Sequence, residues 1–363
     1  MTQSPSKPRF AALDGLRAAA AAGVLLYHVA EWSGRPGWFA HGYLAVDFFF
    51  CLSGFVISHA FEHRTIGWPA YLWIRVVRIW PLLVLGTLAG AALTWRSSPP
   101  FGPNLLRGLL LIPRLEPVAY ADFPPLFPFN PPAWSLCLEV MVSVLWFPLR
   151  RLPTTVLATI AIASLAVMIW AAWGMGGIET GWDQATFWIG LARAAFSFCL
   201  GWACRRHGAR FPQAPLWLAA PVLLAVLCVP IPPAANAYYD FACAGLLFPV
   251  LVLTGAHDPD GAMGVVCREA GEVSYPLYAL HWVVWAALLR LIPAGAQPLA
   301  PLWFCVLGLM AAPAVAWAAL RAVDRPVRAW WGRVGRKRAE AVICGSAGDP
   351  IRLPGEGRDP DPS

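Results

Sequence analysis

The chain has 363 residues, of which 58% are apolar and only 13% charged, and its mean hydropathy is +0.57. A water-soluble domain carries roughly a quarter charged residues, so an ordinary soluble enzyme is excluded and a multi-spanning membrane protein is indicated. The net charge of +7 fits Lys and Arg gathered in cytoplasmic loops rather than nucleic-acid binding, and no nucleic-acid partner is expected.

The opening "MTQSPSKPRFAALDGLR" is polar and basic, with no small-residue cleavage site after the apolar run that follows. It reads as a cytoplasmic N-terminus leading into a retained helix. A helix needs roughly 20 mostly apolar residues to cross the hydrocarbon. The apolar runs predict about ten transmembrane helices, near 11–31, 42–61, 73–95, 133–150, 154–174, 185–204, 214–231, 237–255, 274–293 and 299–320. Pro and Gly mark the joints, as in "SSPPFGP", "PPLFPFNPP", "PIPP" and "HDPDG". The basic residues alternate with this layout. Lys7, Arg9, Arg64, Arg75, Arg78, Arg150, Arg151, Arg205, Arg206, Arg210, Arg268 and a cluster from Arg321 to Arg338 fall on one side, and only Arg35, Arg96, Arg107 and Arg114 on the other. The expectation is an all-α membrane protein with both termini cytoplasmic. The 96–132 connection holds "NLLRGLLLIP", which suits the membrane surface or a re-entrant fold. The expected organisation is one membrane domain over 1–332 and, over 333–363, a polar cytoplasmic tail whose composition gives no core and predicts disorder.

Ionisable side chains inside spans cost a few kcal/mol on insertion scales and tend to mark a site or a pathway. In the first span Arg17 and His28 are eleven residues apart, about three turns plus 20°, so they share a face and lie about 16 Å apart along the axis. Arg17 would sit near the cytoplasmic boundary, where snorkelling is its plain role. His28 would lie deep, and Asp14 is placed to pair with Arg17. The second span carries Asp47, Ser53 and Gly54 among aromatic and aliphatic neighbours, and a carboxylate there needs a partner. Arg75 and Arg78 share a stripe at the start of the third span, edged by Trp73 and Trp80, a pattern that suits phosphate. Ser135 and Glu139 share a face of the fourth. Ser274, Tyr278 and His281 form one stripe of the ninth, with Pro276 suited to a first helical turn. The nine Cys are scattered without C-x-x-C spacing and read as small buried hydrophobes. No zinc, P-loop or nucleophile-elbow motif is present, so no metal site and no bound cofactor are expected.

In order along the chain, "LDGLRAAAAAGVLLYH", "AVDFFFCLSGF", "RVVRIWP", "WSLCLE", "SYPLYALHW" and "DRPVR" resemble the motifs of the integral-membrane acyltransferase-3 family, from about residue 10 to 328. Members O-acylate surface polysaccharides, lipid-linked sugars and some small molecules. The chain departs from the family pattern at Ala45, where glycine is usual, at Val142 and Ser143, where an aromatic pair is usual, and at Asp324, where Glu is commoner. The resemblance implies a donor such as acetyl-CoA on the cytoplasmic side, a carbohydrate or glycolipid acceptor, and residence as a multi-pass protein of the bacterial inner membrane.

On that implication Arg17, Arg75 and Arg78 form a cationic mouth for the CoA phosphates. His28 acts on the acceptor hydroxyl as general base or transiently carries the acyl group, with Glu139 or Asp47 orienting the imidazole. Ser53, Ser135, Tyr278 and His281 are second-rank candidates for binding the acceptor or a developing oxyanion. The rival reading is a secondary transporter that uses the same buried Arg, His, Asp and Glu as a proton or substrate pathway.

Overall fold

A computed structural model describes residues 10–35, 37–94, 100–116, 125–208, 211–291 and 302–333. The expectations for the tail beyond residue 333, and for Lys7, Arg9, Arg96, Arg210 and Arg338, lie outside the described residues. Among the described residues twelve α-helices follow one another: α1 Ala11–Trp32, α2 Ala45–Phe61, α3 Trp68–Thr94, α4 Phe101–Leu110, α5 Ala133–Leu149, α6 Thr154–Met175, α7 Phe187–His207, α8 Leu216–Cys228, α9 Pro233–Ala242, α10 Phe248–Thr254, α11 Gly261–Leu289 and α12 Leu302–Ala319. Strand pairing among the described residues is confined to an isolated bridge between Pro125 and Asp183.

A helix, or a near-continuous pair of helices, stands at each of the ten expected spans. Among the described residues six segments are long and apolar enough to cross a bilayer: Gly42–Phe61, Trp68–Thr94, Thr154–Met175, Phe187–His207, Pro233–Thr254 and Trp303–Arg333. Two of those continue through a π-turn, at Cys243–Leu247 and at Leu320–Asp324. The helices α5 and α8 are apolar but shorter. Both α1 and α11 are long, and their polar and charged residues dilute the hydropathy. The "NLLRGLLLIP" stretch forms most of α4, which packs on α3.

The local chemistry explains the boundaries. Pro153, Pro215 and Pro232 stand extended just before α6, α8 and α9, where a missing N–H costs nothing. Gly176 closes α6 in the left-handed conformation, at φ +76°. One expectation needs correcting here. Pro276 sits in the middle of α11 rather than in a first turn, because α11 begins at Gly261. Interior prolines are tolerated in membrane helices, where neighbours and side chains re-satisfy the freed carbonyls.

The helices α1, α2, α7 and α11 form the centre. Close approach of α2 and α7 rests on Gly54 and Gly201: a methyl group at Gly54 would collide with the Phe198 backbone, and one at Gly201 with the Cys51 carbonyl. Small residues of this kind let membrane helices pack backbone to backbone. The outer helices turn large apolar side chains outward, Trp170 and Trp173 of α6 being 74% and 91% exposed, as a lipid-facing surface requires. At one end of the bundle the basic residues tie turns together. Arg206 bonds Glu62 and the carbonyls of Arg150 and Leu152, and Arg328 bonds the carbonyl of Arg78. At the opposite end Tyr27 bonds Glu179, Tyr43 bonds Asp240, and His41 bonds Asn236 and the Val229 carbonyl.

Candidate active site

Two adjoining cavities lie between α1, α2, α3, α5 and α11. The wider, a vestibule of about 670 Å³ at the basic end, is bordered by Arg17, His59, Arg78, Arg325 and Arg328 together with Asp14, Glu272 and Asp324. The narrower, a chamber of about 90 Å³ deeper in the bundle, is lined by Ser53, Arg75, Ser135, Glu139, Ser274 and Tyr278 within an apolar wall. Arg17, Val56, Arg78 and Tyr275 line both cavities and form the passage between them.

The sequence places these groups by helical spacing. Ser135 and Glu139 are one turn apart on α5, Ser274 and Tyr278 one turn apart on α11, and each pair faces the chamber. Within the chamber Arg75 Nη2 donates to Glu139 Oε1 at 2.6 Å and Ser53 Oγ donates to the same oxygen at 2.7 Å. The Arg75 Nε is buried without a partner. In the vestibule Arg17 is held by Asp14 at 2.6 Å, Arg325 by Glu272 at 2.5 Å and Arg328 by Asp324 at 2.8 Å. Arg78 differs. It is exposed to the cavities, and among the described residues its guanidinium has no acidic partner.

A polar and aromatic layer closes the inner end of the chamber. Ser135 Oγ donates to the Pro132 carbonyl at 3.2 Å, which leaves the Tyr278 hydroxyl as donor in the 2.5 Å contact between Ser135 and Tyr278. Phe49 packs edge-on against the Tyr278 ring, 5.4 Å between centroids. Beyond this layer lie the two imidazoles. His281 is fully buried, and its Nδ1 meets the Tyr278 carbonyl at 2.7 Å. A carbonyl only accepts, so Nδ1 carries the proton and Nε2 presents a lone pair, buried without a partner. The His28 ring stacks on His281, centroids 5.2 Å apart and planes within 20°, and on Trp32 at 5.7 Å and 24°. His28 Nδ1 lies 2.9 Å from Glu31 Oε2.

The structure therefore brings Arg17, Arg75, Arg78, Ser53, Glu139, Ser135 and Tyr278 around the cavities, and His28 and His281 together beyond them. It does not bring Asp47 or Glu139 to His28, and the expectation that one of them orients the imidazole is corrected. Glu139 is engaged by Arg75 and Ser53. Asp47 is fully buried against Arg193, whose Nε lies 2.9 and 3.0 Å from the two carboxylate oxygens and whose Nη2 lies 2.5 Å from Oδ2. Arg193 also donates to the carbonyls of Tyr43 and Thr180. The reason is the helical phase: Asp47 and Ser53, six residues apart on α2, face different neighbours. Arg75, expected at the donor phosphates, is turned inward onto Glu139.

Sequence reasoning missed Glu31 and Arg193. Glu31 was legible as an acid three residues after His28 on the same helix. Arg193 was legible as the arginine inside the sixth span, opposite in sign to the Asp47 that lacked a partner. Among the described residues no group of three or more His, Cys, Asp and Glu side chains could hold a metal ion.

A family model for the acyltransferase-3 group, described as an acyltransferase domain, matches residues 10–321. "Protein 2 in picA locus" of Rhizobium radiobacter is 34% identical over 196 residues, covering 47% of this chain and 99% of that protein. "Putative membrane-bound transacylase BcsY" of Komagataeibacter xylinus is 27% identical over 301 residues, covering 74% of this chain and 71% of that protein. No solved structure gives a significant match.

Proposed function

The chain belongs to the acyltransferase-3 family and is a multi-pass membrane acyltransferase, and on that premise we propose that it moves an acyl group, acetyl first among them, from a cytoplasmic acyl-CoA to a hydroxyl of a cell-surface or lipid-linked carbohydrate. The proposal includes ten membrane crossings with both termini in the cytoplasm and residence in a bacterial inner membrane.

One observation carries the donor half of this reading. Of the arginines that border the two cavities, Arg17, Arg75, Arg325 and Arg328 are each held by a carboxylate, and Arg78, where the cavities meet, has no carboxylate partner among the described residues. A guanidinium without an acid, on the accessible wall of a basic vestibule, is suited to a phosphate. The vestibule has room for the nucleotide end of CoA. The narrow chamber admits only the slim thioester end, between the Arg75–Glu139 pair and the Tyr278 hydroxyl.

The acceptor half rests on His28, which reaches the opposite, partly exposed side of the Tyr278 layer. In the proposed step the acceptor hydroxyl oxygen attacks the thioester carbonyl carbon while its proton passes to His28. The carbon–sulfur bond then breaks, the proton goes to the departing thiolate, and the products are the ester and free CoA. Tyr278 lines the chamber, neither imidazole does, and the Tyr278 ring packs on His281, which stacks on His28, so transfer requires the Ser135–Tyr278–Phe49 contacts to part.

The test is purified protein in lipid nanodiscs, given acetyl-CoA and the glycan fraction of the producing cell's envelope, with ester mass followed by mass spectrometry. His28→Ala should lower transfer by about 10²–10⁴-fold, the usual contribution of a general base, with the thermal unfolding midpoint unchanged. Full transfer by that variant contradicts the reading.

A further inference from the structure

We infer that Glu31 is the positioning residue for His28: its carboxylate selects which ring nitrogen carries the proton and turns the other, Nε2, to the reacting hydroxyl. This rests on the reading of His28 given above. Ring contacts and one hydrogen bond hold the imidazole, and they do different things. Stacking on His281 at 5.2 Å and on Trp32 at 5.7 Å, both within about 24° of parallel, sets the plane of the imidazole. Stacking does not choose between the two ring nitrogens. The hydrogen bond does, since an ionised carboxylate only accepts, and Nδ1 at 2.9 Å from Glu31 Oε2 must then be an N–H. The lone pair is left on Nε2, the nitrogen a base needs.

The surroundings support this over a passive surface pair. Glu31 and His28 are one turn apart on α1, with side chains 40% and 22% exposed, and the ring of His28 is packed between His281 and Trp32. The neighbouring acid, Glu179, is engaged by the Tyr27 hydroxyl at 2.7 Å. The other two acids expected at the imidazole are bound by Arg75 and Arg193. His281, the adjoining ring, is set in the same tautomer by a different device, the Tyr278 carbonyl. Two stacked imidazoles, each with Nδ1 occupied, leave both Nε2 atoms available.

The experiment compares wild type, Glu31→Ala, Glu31→Gln and His28→Ala in nanodiscs, with acetyl-CoA and the envelope glycan fraction as substrates. Two readouts are needed: kcat against KM for acetyl-CoA, and the ¹⁵N shifts of the imidazoles, which report the tautomer of His28 by difference from the His28→Ala spectrum. Both Glu31 variants should lose kcat by about 10–100-fold, the size seen when the hydrogen-bond partner of a metal-bound histidine is removed. KM for acetyl-CoA should stay within about twofold, and the Nδ1–H signal should give way to a mixture. Unchanged kcat, or a fall in kcat with the His28 tautomer unaltered, overturns the inference. If His28→Ala retains full transfer, the reading of His28 fails instead, and the tautomer shift alone then decides whether Glu31 governs that ring.

Discussion

Among the described residues, the arginines of two ion pairs, Arg193–Asp47 and Arg75–Glu139, are at most 5% exposed, and the contrast between these pairs separates scaffold from site. Arg193 and Asp47 are 1% and 0% exposed. Every polar atom of that arginine is engaged, by both carboxylate oxygens and by the Tyr43 and Thr180 carbonyls, and Ser197 supports the acid at 3.4 Å. Arg75 and Glu139 are made of the same groups, yet Glu139 is 21% exposed to the chamber, the contact is a single bond, and Arg75 Nε has no partner. A buried charge pair stands only when its remaining donors and acceptors are satisfied. The first pair meets that condition and acts as a cross-link between α2 and α7. The second leaves hydrogen-bonding capacity unused on the wall of a cavity, as a ligand-binding group does.

Substitutions sharpen this division, beginning with the largest effect. Asp47→Ala should leave Arg193 buried and unpaired, at a cost of about 3–5 kcal/mol. The measurements are thermal unfolding in detergent and the yield of folded protein, and a variant as stable as wild type would remove the distinction. Glu139→Gln keeps size and one acceptor for Ser53 but removes the charge facing Arg75. Because water in the chamber can solvate the freed guanidinium, it should cost only about 1–2 kcal/mol of stability, while transfer falls by tenfold or more at about 1.4 kcal/mol per decade. Ser53→Ala removes a single bond to a carboxylate that Arg75 still holds. It should lower stability by about 1 kcal/mol or less and transfer only a few-fold, a loss visible in kcat rather than in folding.

Much of this could be read from the sequence, and the misses have physical reasons. Helical phase is fixed by covalent geometry, so the pairing of Arg17 with Asp14 and the shared faces of Ser135 with Glu139, and of Ser274 with Tyr278, followed from spacing alone. Arg17 and His28 do share α1, but the layer at Tyr278 divides their surroundings, and no spacing rule foretells a constriction made by another helix. Contacts between helices far apart in sequence were the other blind spot. Asp47 meets Arg193 across 146 residues and Arg75 meets Glu139 across 64. The need for a partner at Asp47 was legible; its identity depended on how α2 and α7 pack through Gly54 and Gly201. Glu31 escaped notice because a glutamate near a span end reads as an ordinary boundary residue, and only the fixed ring of His28 gives it weight.

The central claim is that donor binding and acyl transfer are divided between Arg78 and His28, on opposite sides of the Tyr278 layer. Calorimetric titration of acetyl-CoA into nanodisc-embedded protein tests it most directly. The account predicts that Arg78→Ala binds acetyl-CoA about tenfold or more weakly, since a charge-assisted bond contributes about 1.5–3 kcal/mol, whereas His28→Ala binds it as wild type does and turns it over hardly at all. Equal affinity in wild type and Arg78→Ala would contradict the account.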